Sequence, residues 1–167
     1  MPVSANMQIV GAKEAIRSLN KLEPGLRKQF AADATKIAQP AISEAQTRYR
    51  QIGVPLSGMS RNWTDNRTGR KLFPYELSKA LRSVKIRLQG DRRVMSVILI
   101  EQRDVATAVW ETAGRKNPNP LGTALGFIKP RTSRVLGPST FSKRNEIEGE
   151  MRDAVLEVTR RVQKELN

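Results

Sequence analysis

Apolar positions along the chain follow a helical period, then an alternating one, then a helical one again. Met7 to Val10 is short and apolar and ends at Gly11, the pattern of a small strand and a turn. Ala12, Ala15, Ile16, Leu19 and Leu22 then recur at steps of three and four, predicting a first helix that Glu23-Pro24-Gly25 stops. A second helix is predicted from Leu26 to about Arg50. Its apolar stripe is Leu26, Phe30, Ala34, Ile37, Ala41 and Ala45, and Arg27, Lys28, Asp33, Lys36, Glu44 and Arg48 face away. Pro40 removes one backbone donor near its middle and should bend it there.

From about 52 to 75 no period is sustained, and Gly and Pro recur, which predicts a long loop followed by a short helical turn within Tyr75 to Leu81. Val84, Ile86 and Leu88 alternate with Lys85, Arg87 and Gln89, the signature of a strand with one apolar and one basic face. Gln89-Gly90-Asp91-Arg92 turns the chain into Val94 to Glu101. That run is apolar on both faces, so it is expected to be the central strand of an antiparallel pair. Asp104 to Thr112 fits either a strand or a short helix. A second long loop runs from Gly114 to Pro130, and the non-regular stretch extends over about 114–133. Arg134 to Leu136 reads as a last short strand halted by Gly137-Pro138. A third helix from about Thr140 would bury Ile147, Met151, Ala154, Val155, Val158, Val162 and Leu166, with Glu146, Glu148 and Glu150 near its start and Arg160, Arg161 and Lys164 near its end, as the helix dipole prefers. The expected fold is one α+β domain over 1–167: a small antiparallel sheet packed by two long helices, with two extended basic loops.

Composition narrows the chemistry. The chain has no cysteine and no histidine, which excludes disulfides, thiolate or imidazole metal sites, a Ser-His-Asp triad and a cysteine nucleophile. The longest apolar run, Val94 to Ile100, is interrupted by Ser96 and is far short of the ~20 residues that cross a bilayer. With no basic-then-apolar leader pattern at its start, the chain is expected in a cytoplasm-like compartment. Neither the carboxylates Glu101, Asp104 and Glu111 nor the Gly122 to Gly126 stretch has the spacing of a metal nuclease or a phosphate-binding loop. A solvated strand end, with Arg103 as charge neighbour, accounts for Glu101 and Asp104. No catalytic, metal or cofactor site is expected.

The formal charge is +14, and residues 51–134, with sixteen basic and six acidic side chains, carry +10 of it. Such a field concentrates polyanions. Its cations fall among loop-forming residues: Arg61, Arg67, Arg70 and Lys71 in the first loop, and Arg115, Lys116, Lys129, Arg131 and Arg134 in or beside the second.

Four stretches in order resemble the tail-completion or head–tail joining (neck) proteins of long-tailed bacteriophages: Ile9-Val10-Gly11 with the helix after it; the long Ala-rich helix running into Val54-Pro55-Leu56-Ser57-Gly58-Met59-Ser60-Arg61; Trp110-Glu111-Thr112-Ala113-Gly114; and Leu136-Gly137-Pro138 before a C-terminal amphipathic helix. The chain departs from the family pattern in having no Tyr within Val105 to Val109 and one extra residue between Glu111 and Gly114. The resemblance implies a structural virion part, assembled in the bacterial cytoplasm. It implies a homo-oligomeric ring, expected to be hexameric, joining the DNA-filled head to the tail. Its partners would be the connector or head-closure protein and the tail-terminator or tail-tube proteins, with transient contact to DNA in the channel, no membrane and no enzymatic activity. Arg61, Arg67, Arg70, Lys71, Arg115, Lys116, Lys129 and Arg131 would then face DNA or neighbouring rings. The alternative is a sequence-nonspecific nucleic-acid-binding or packaging protein.

Overall fold

The computed structural model describes residues 3–8, 24–61, 64–69, 74–89, 97–114, 120–129 and 132–166. The predicted helix Ala12 to Leu22 lies outside them, as do Arg70, Lys71, Arg115, Lys116 and Arg131. The fold is α+β, with an antiparallel sheet packed against helices. Strand β1 is Val3–Gln8, β2 is Val84–Gln89 and β3 is Val97–Gln102. They pair in the order β1-β3-β2, so β3 is central as its two apolar faces predict, and Ile98, Leu99 and Ile100 are all buried. In β2, Val84 is buried while Lys85 and Arg87 are exposed, as the alternation requires. The amide of Arg103, just past β3, donates to the Ser83 carbonyl just before β2 (3.0 Å), which brings opposite strand ends together as an antiparallel pair does.

Seven helices stand among the described residues: α1 (Pro24–Ile37), α2 (Gln39–Ile52), α3 (Leu77–Arg82), α4 (Val105–Thr112), α5 (Pro120–Leu125), α6 (Leu136–Ser142) and α7 (Arg144–Leu166). The single long helix expected over 26–50 is two. Ala38 is a turn residue, and Pro40 occupies the first turn of α2, where a missing N–H costs nothing. The apolar stripe nevertheless continues across the break, with Phe30, Ala34, Ala41 and Ala45 buried. Asp104 to Thr112 resolves as helix because Asp104 caps it: its Oδ2 accepts from the Thr107 amide (2.9 Å) and from Thr107 Oγ1 (2.6 Å). Asp104 is therefore not a solvated strand end. Neither is Glu101, which is buried and 3.3 Å from Arg103.

Two further expectations are corrected. The loop after Gly114 is interrupted by α5, and the predicted strand Arg134 to Leu136 leads instead into α6, with Gly137 and Pro138 in its first turn. First-turn amides have no intrahelical acceptor, so proline is harmless there once its neighbours are satisfied. They are: Gly137 N donates to Ser133 Oγ (2.6 Å), and Val135 N and Leu136 N donate to the Glu111 carboxylate. The third helix of the sequence reading thus divides at Lys143 into α6 and α7.

By internal packing the chain gathers into two compact units, 1–5, 42–85 and 100–141 in the first, and 6–41, 86–99 and 142–167 in the second. In the second, α1 packs on α7, where Ile147 and Met151 are buried. The first holds an aromatic and polar core around Trp110 and Glu111.

Two glycines provide a direct check. Gly114 has φ +84°, and a Cβ there would lie 2.8 Å from the Gly126 carbonyl oxygen and 3.3 Å from Arg134 Nη2. Gly149, inside α7, has open space around it. Gly114→Ala is expected to lower unfolding free energy by about 1–3 kcal/mol or more. Gly149→Ala is expected to raise it by about 0.5–1 kcal/mol. Urea unfolding of both variants measures the contrast.

Candidate polyanion-binding loops and the cluster that anchors them

Each long basic segment is drawn together at its base. In the first, the Tyr75 amide donates to the Met59 carbonyl (2.7 Å), so the segment between them begins and ends at one point. Within it Asp65 organises a turn: Oδ1 accepts from the Arg67 amide (2.9 Å), Oδ2 from Thr68 Oγ1 (2.6 Å), and the Asp65 carbonyl from Gly69 N (2.8 Å), with Gly69 at φ +64°. The Thr68 hydroxyl, then the Arg67 amide, hold the Asp65 carboxyl below its usual range. Arg61 and Arg67 are exposed.

In the second segment the Ile128 amide donates to the Gly114 carbonyl (3.3 Å). Arg134 closes the same base. Its guanidinium donates to the carbonyls of Trp110 (3.2 Å), Ala113 (2.7 Å), Leu125 (2.8 Å) and Gly126 (2.5 Å). The carbonyls at the end of α4 and at the end of α5 are thereby satisfied by one planar fork. Arg134 is thus a part-buried staple and not one of the surface cations, which the sequence alone did not show. Burial lowers its pKa, and the nearby Glu111 charge works against that. Lys129 is exposed, and so is Phe127, at 68%.

Both bases rest on the same cluster. Trp110 packs against Tyr49 of α2 (ring centroids 5.8 Å apart) and, edge to face, against Tyr75 (6.0 Å, 71°). Tyr49 donates its hydroxyl hydrogen to Glu111 Oε1. Glu111 is fully buried and also accepts from Val135 N (3.0 Å) and Leu136 N (3.2 Å), while Arg134 N donates to its backbone carbonyl (3.3 Å). Gln102, also fully buried, donates to the Ala80 carbonyl (3.0 Å) and accepts from Asp104 N (2.9 Å), which ties β3 to α3 and to the start of α4. Of the residues Trp110 to Gly114 that carry the resemblance, all but the half-buried Thr112 are therefore buried. Tyr49 had a legible signal, since it continues the Ala41 and Ala45 stripe by one turn. Gln102 and Arg134 had none, being polar residues of ordinary appearance.

Burial pushes the Glu111 carboxyl above its usual range, although its hydrogen-bond donors pull it back. Burial and the Glu111 charge push the Tyr49 hydroxyl far upward, so it remains a proton donor. The Tyr75 hydroxyl is pushed up to about 12, mainly by burial, and has no hydrogen-bond partner among the described residues.

No group of three or more Asp or Glu placed to hold a metal occurs among the described residues, and no helix among them is long and apolar enough to cross a membrane. No family model matches the chain, and neither a curated protein nor a solved structure matches it.

Two expectations follow for the cluster. Tyr49→Phe leaves a buried carboxylate short of a donor and should cost about 1.5–3 kcal/mol, whereas Tyr75→Phe removes an unpaired buried hydroxyl and should be neutral or stabilising by up to about 1 kcal/mol. Thermal unfolding of the two variants separates them. For Glu111, the folded pKa is raised, so the folded state binds the proton more readily than the unfolded chain. Its contribution is fully present below the ordinary value of 4.5 and is lost as pH rises through the folded pKa. The stability of the native protein relative to Glu111→Gln should therefore decline as pH rises from 4.5. Denaturant titrations of both proteins across that window give the difference directly.

Proposed function

We propose that this chain is a structural subunit of a tailed-phage neck, assembling as a ring between head and tail and using its two basic loops to touch DNA or adjoining rings. The observation that carries this reading is the shared anchoring of the loops. Their bases are held by backbone and guanidinium hydrogen bonds around Trp110 and Glu111, while Arg61, Arg67 and Lys129 are exposed. A ring subunit needs a stiff body and projections that reach its neighbours. On this reading the Trp110 to Gly114 stretch that resembles the neck family builds the stiff body, and the charge lies on the projections.

A second reading, a sequence-blind nucleic-acid binder, is favoured by one feature. Phe127 is 68% exposed and the exposed Lys129 follows two residues later, so one stretch offers both an aromatic ring and a cation, the residue types that bind bases and phosphates. Salt dependence and assembly distinguish the two. In particle assembly, replacing Arg61, Arg67, Arg70 and Lys71 with Ala should leave filled heads that fail to join finished tails. Unaltered joining, counted by electron microscopy, removes those residues from the mechanism. A dedicated binder instead shows duplex affinity falling by about 10³ to 10⁵ between 50 and 200 mM salt, with the slope reduced by roughly two in Arg61→Ala/Arg67→Ala.

A further inference from the structure

Between Glu111 and Glu146 the chain runs for 34 residues without one Asp or Glu and with seven Lys and Arg. Within this stretch Gly126, Phe127 and Lys129 are exposed. The backbone on both sides of Phe127 is held. Gly126 N donates to the Thr123 carbonyl (3.3 Å), the Leu125 and Gly126 carbonyls accept from the Arg134 guanidinium, and Ile128 N donates to the Gly114 carbonyl. Gly126 has φ +79°, a conformation that glycine adopts without strain, so the chain changes direction immediately before the ring.

A single exposed phenylalanine is ordinary on a protein surface. Phe141, 76% exposed near the end of α6, is followed by Lys143 and Arg144, which are already engaged by Glu146 (2.9 Å) and Glu148 (2.6 Å). Phe127 differs on two counts. Its backbone is braced, and the Lys129 ammonium meets no carboxylate among the described residues. A ligand for this stretch must offer a flat apolar face and negative charge within a short span. An acidic protein surface answers the cation and not the ring, and an apolar pocket answers the ring and not the cation. In a duplex the base faces cover one another, which leaves phosphates alone. A single strand presents an open base face and a phosphate with every nucleotide. We propose that Gly126 to Lys129 binds single-stranded nucleic acid, Phe127 stacking on an unpaired base and Lys129 meeting a phosphate. This rests on the nucleic-acid reading above and narrows it to unpaired strands and to these two side chains. Because the backbone is fixed before binding, little of the stacking energy goes into ordering it.

The test titrates the full-length protein against labelled oligothymidylate and against a duplex of equal length, by fluorescence anisotropy at several salt concentrations. Phe127→Ala should weaken oligothymidylate binding by about 5- to 100-fold, and Phe127→Trp should preserve it. Phe127→Leu keeps an apolar side chain without an aromatic face and should lose as much as alanine. Lys129→Gln should lower the slope of log affinity against log salt by about 0.7, the share of one phosphate on a single strand. Duplex binding should not respond to Phe127→Ala, and Phe141→Ala should leave both ligands bound as in the parent. Thermal unfolding of the variants should match the parent, since position 127 is mostly exposed. A parent that binds duplex while Phe127→Ala leaves oligothymidylate affinity intact overturns this inference and leaves the nucleic-acid reading standing. A parent that binds neither ligand overturns both. Full binding by Phe127→Leu assigns the ring to apolar docking on a protein and overturns the inference, as do equal losses on duplex and single strand or an equal loss in Phe141→Ala.

Discussion

A carboxylate with no access to water is the constraint around which the first unit is built. Removing Glu111 from solvent costs several kcal/mol, and the cost is offset only when donors converge on it. They come from distant parts of the chain: the Tyr49 hydroxyl on α2, and the amides of Val135 and Leu136 at the start of α6. The dependence is mutual. Those two amides belong to a helix start, where no intrahelical acceptor exists, so Glu111 is their cap just as they are its counter-dipole. Neither half is satisfied in a partly assembled core. That makes the contact a demand for one arrangement of α2, α4 and α6 more than a source of net stability.

Arg134, which immediately precedes Val135 in the chain, complements it. Its amide binds the Glu111 carbonyl, and its guanidinium gathers carbonyls at the ends of α4 and α5, among them Trp110's, which also accepts from the Ala113 amide. A lysine could not do this, because a single ammonium lacks the planar set of donors that reaches four carbonyls at once. The Glu111 charge also lies close enough to offset part of the effect of burial on Arg134. What results is a hard point at which the second loop must begin and end. The first loop reaches the same point through Tyr75, whose amide closes the loop while its ring packs on Trp110.

This division explains what could be read from the chain beforehand. Periodicity located both strands β2 and β3, the centrality of β3 and the stripe through Phe30, Ala34, Ala41 and Ala45, because those elements are shaped by burial of one face. It missed α6. Gly137-Pro138 is a stop signal in any local reading, and the side chain that makes the helix start possible, Glu111, is about 25 residues away. Asp104 to Thr112 was ambiguous for a similar reason: alternation and helical spacing both fit, and the deciding hydrogen bonds to the Asp104 carboxylate are a matter of geometry. Of the basic residues singled out as contacts, Arg61, Arg67 and Lys129 are exposed as their loop setting predicts. Arg134 carries the same composition signal and has the opposite role, since charge alone does not distinguish a cation that meets solvent from one that meets carbonyls.

Anchoring of this kind changes the energetics expected of the loops. A long Gly- and Pro-containing segment that had to be ordered entirely on binding would lose backbone entropy over its whole length, on the order of 1–2 kcal/mol per residue. Pinching 60–74 at Met59 and Tyr75, and 115–127 at Gly114 and Ile128, places the closure cost in folding of the subunit, before any partner is met. The Asp65 turn carries that order into the first loop itself. The anionic partner proposed above would then have less to organise, and the favourable energy of meeting Arg61 and Arg67 would be retained as affinity. On this account the core that Glu111 enforces acts on recognition without touching the partner, by fixing where the cations start from.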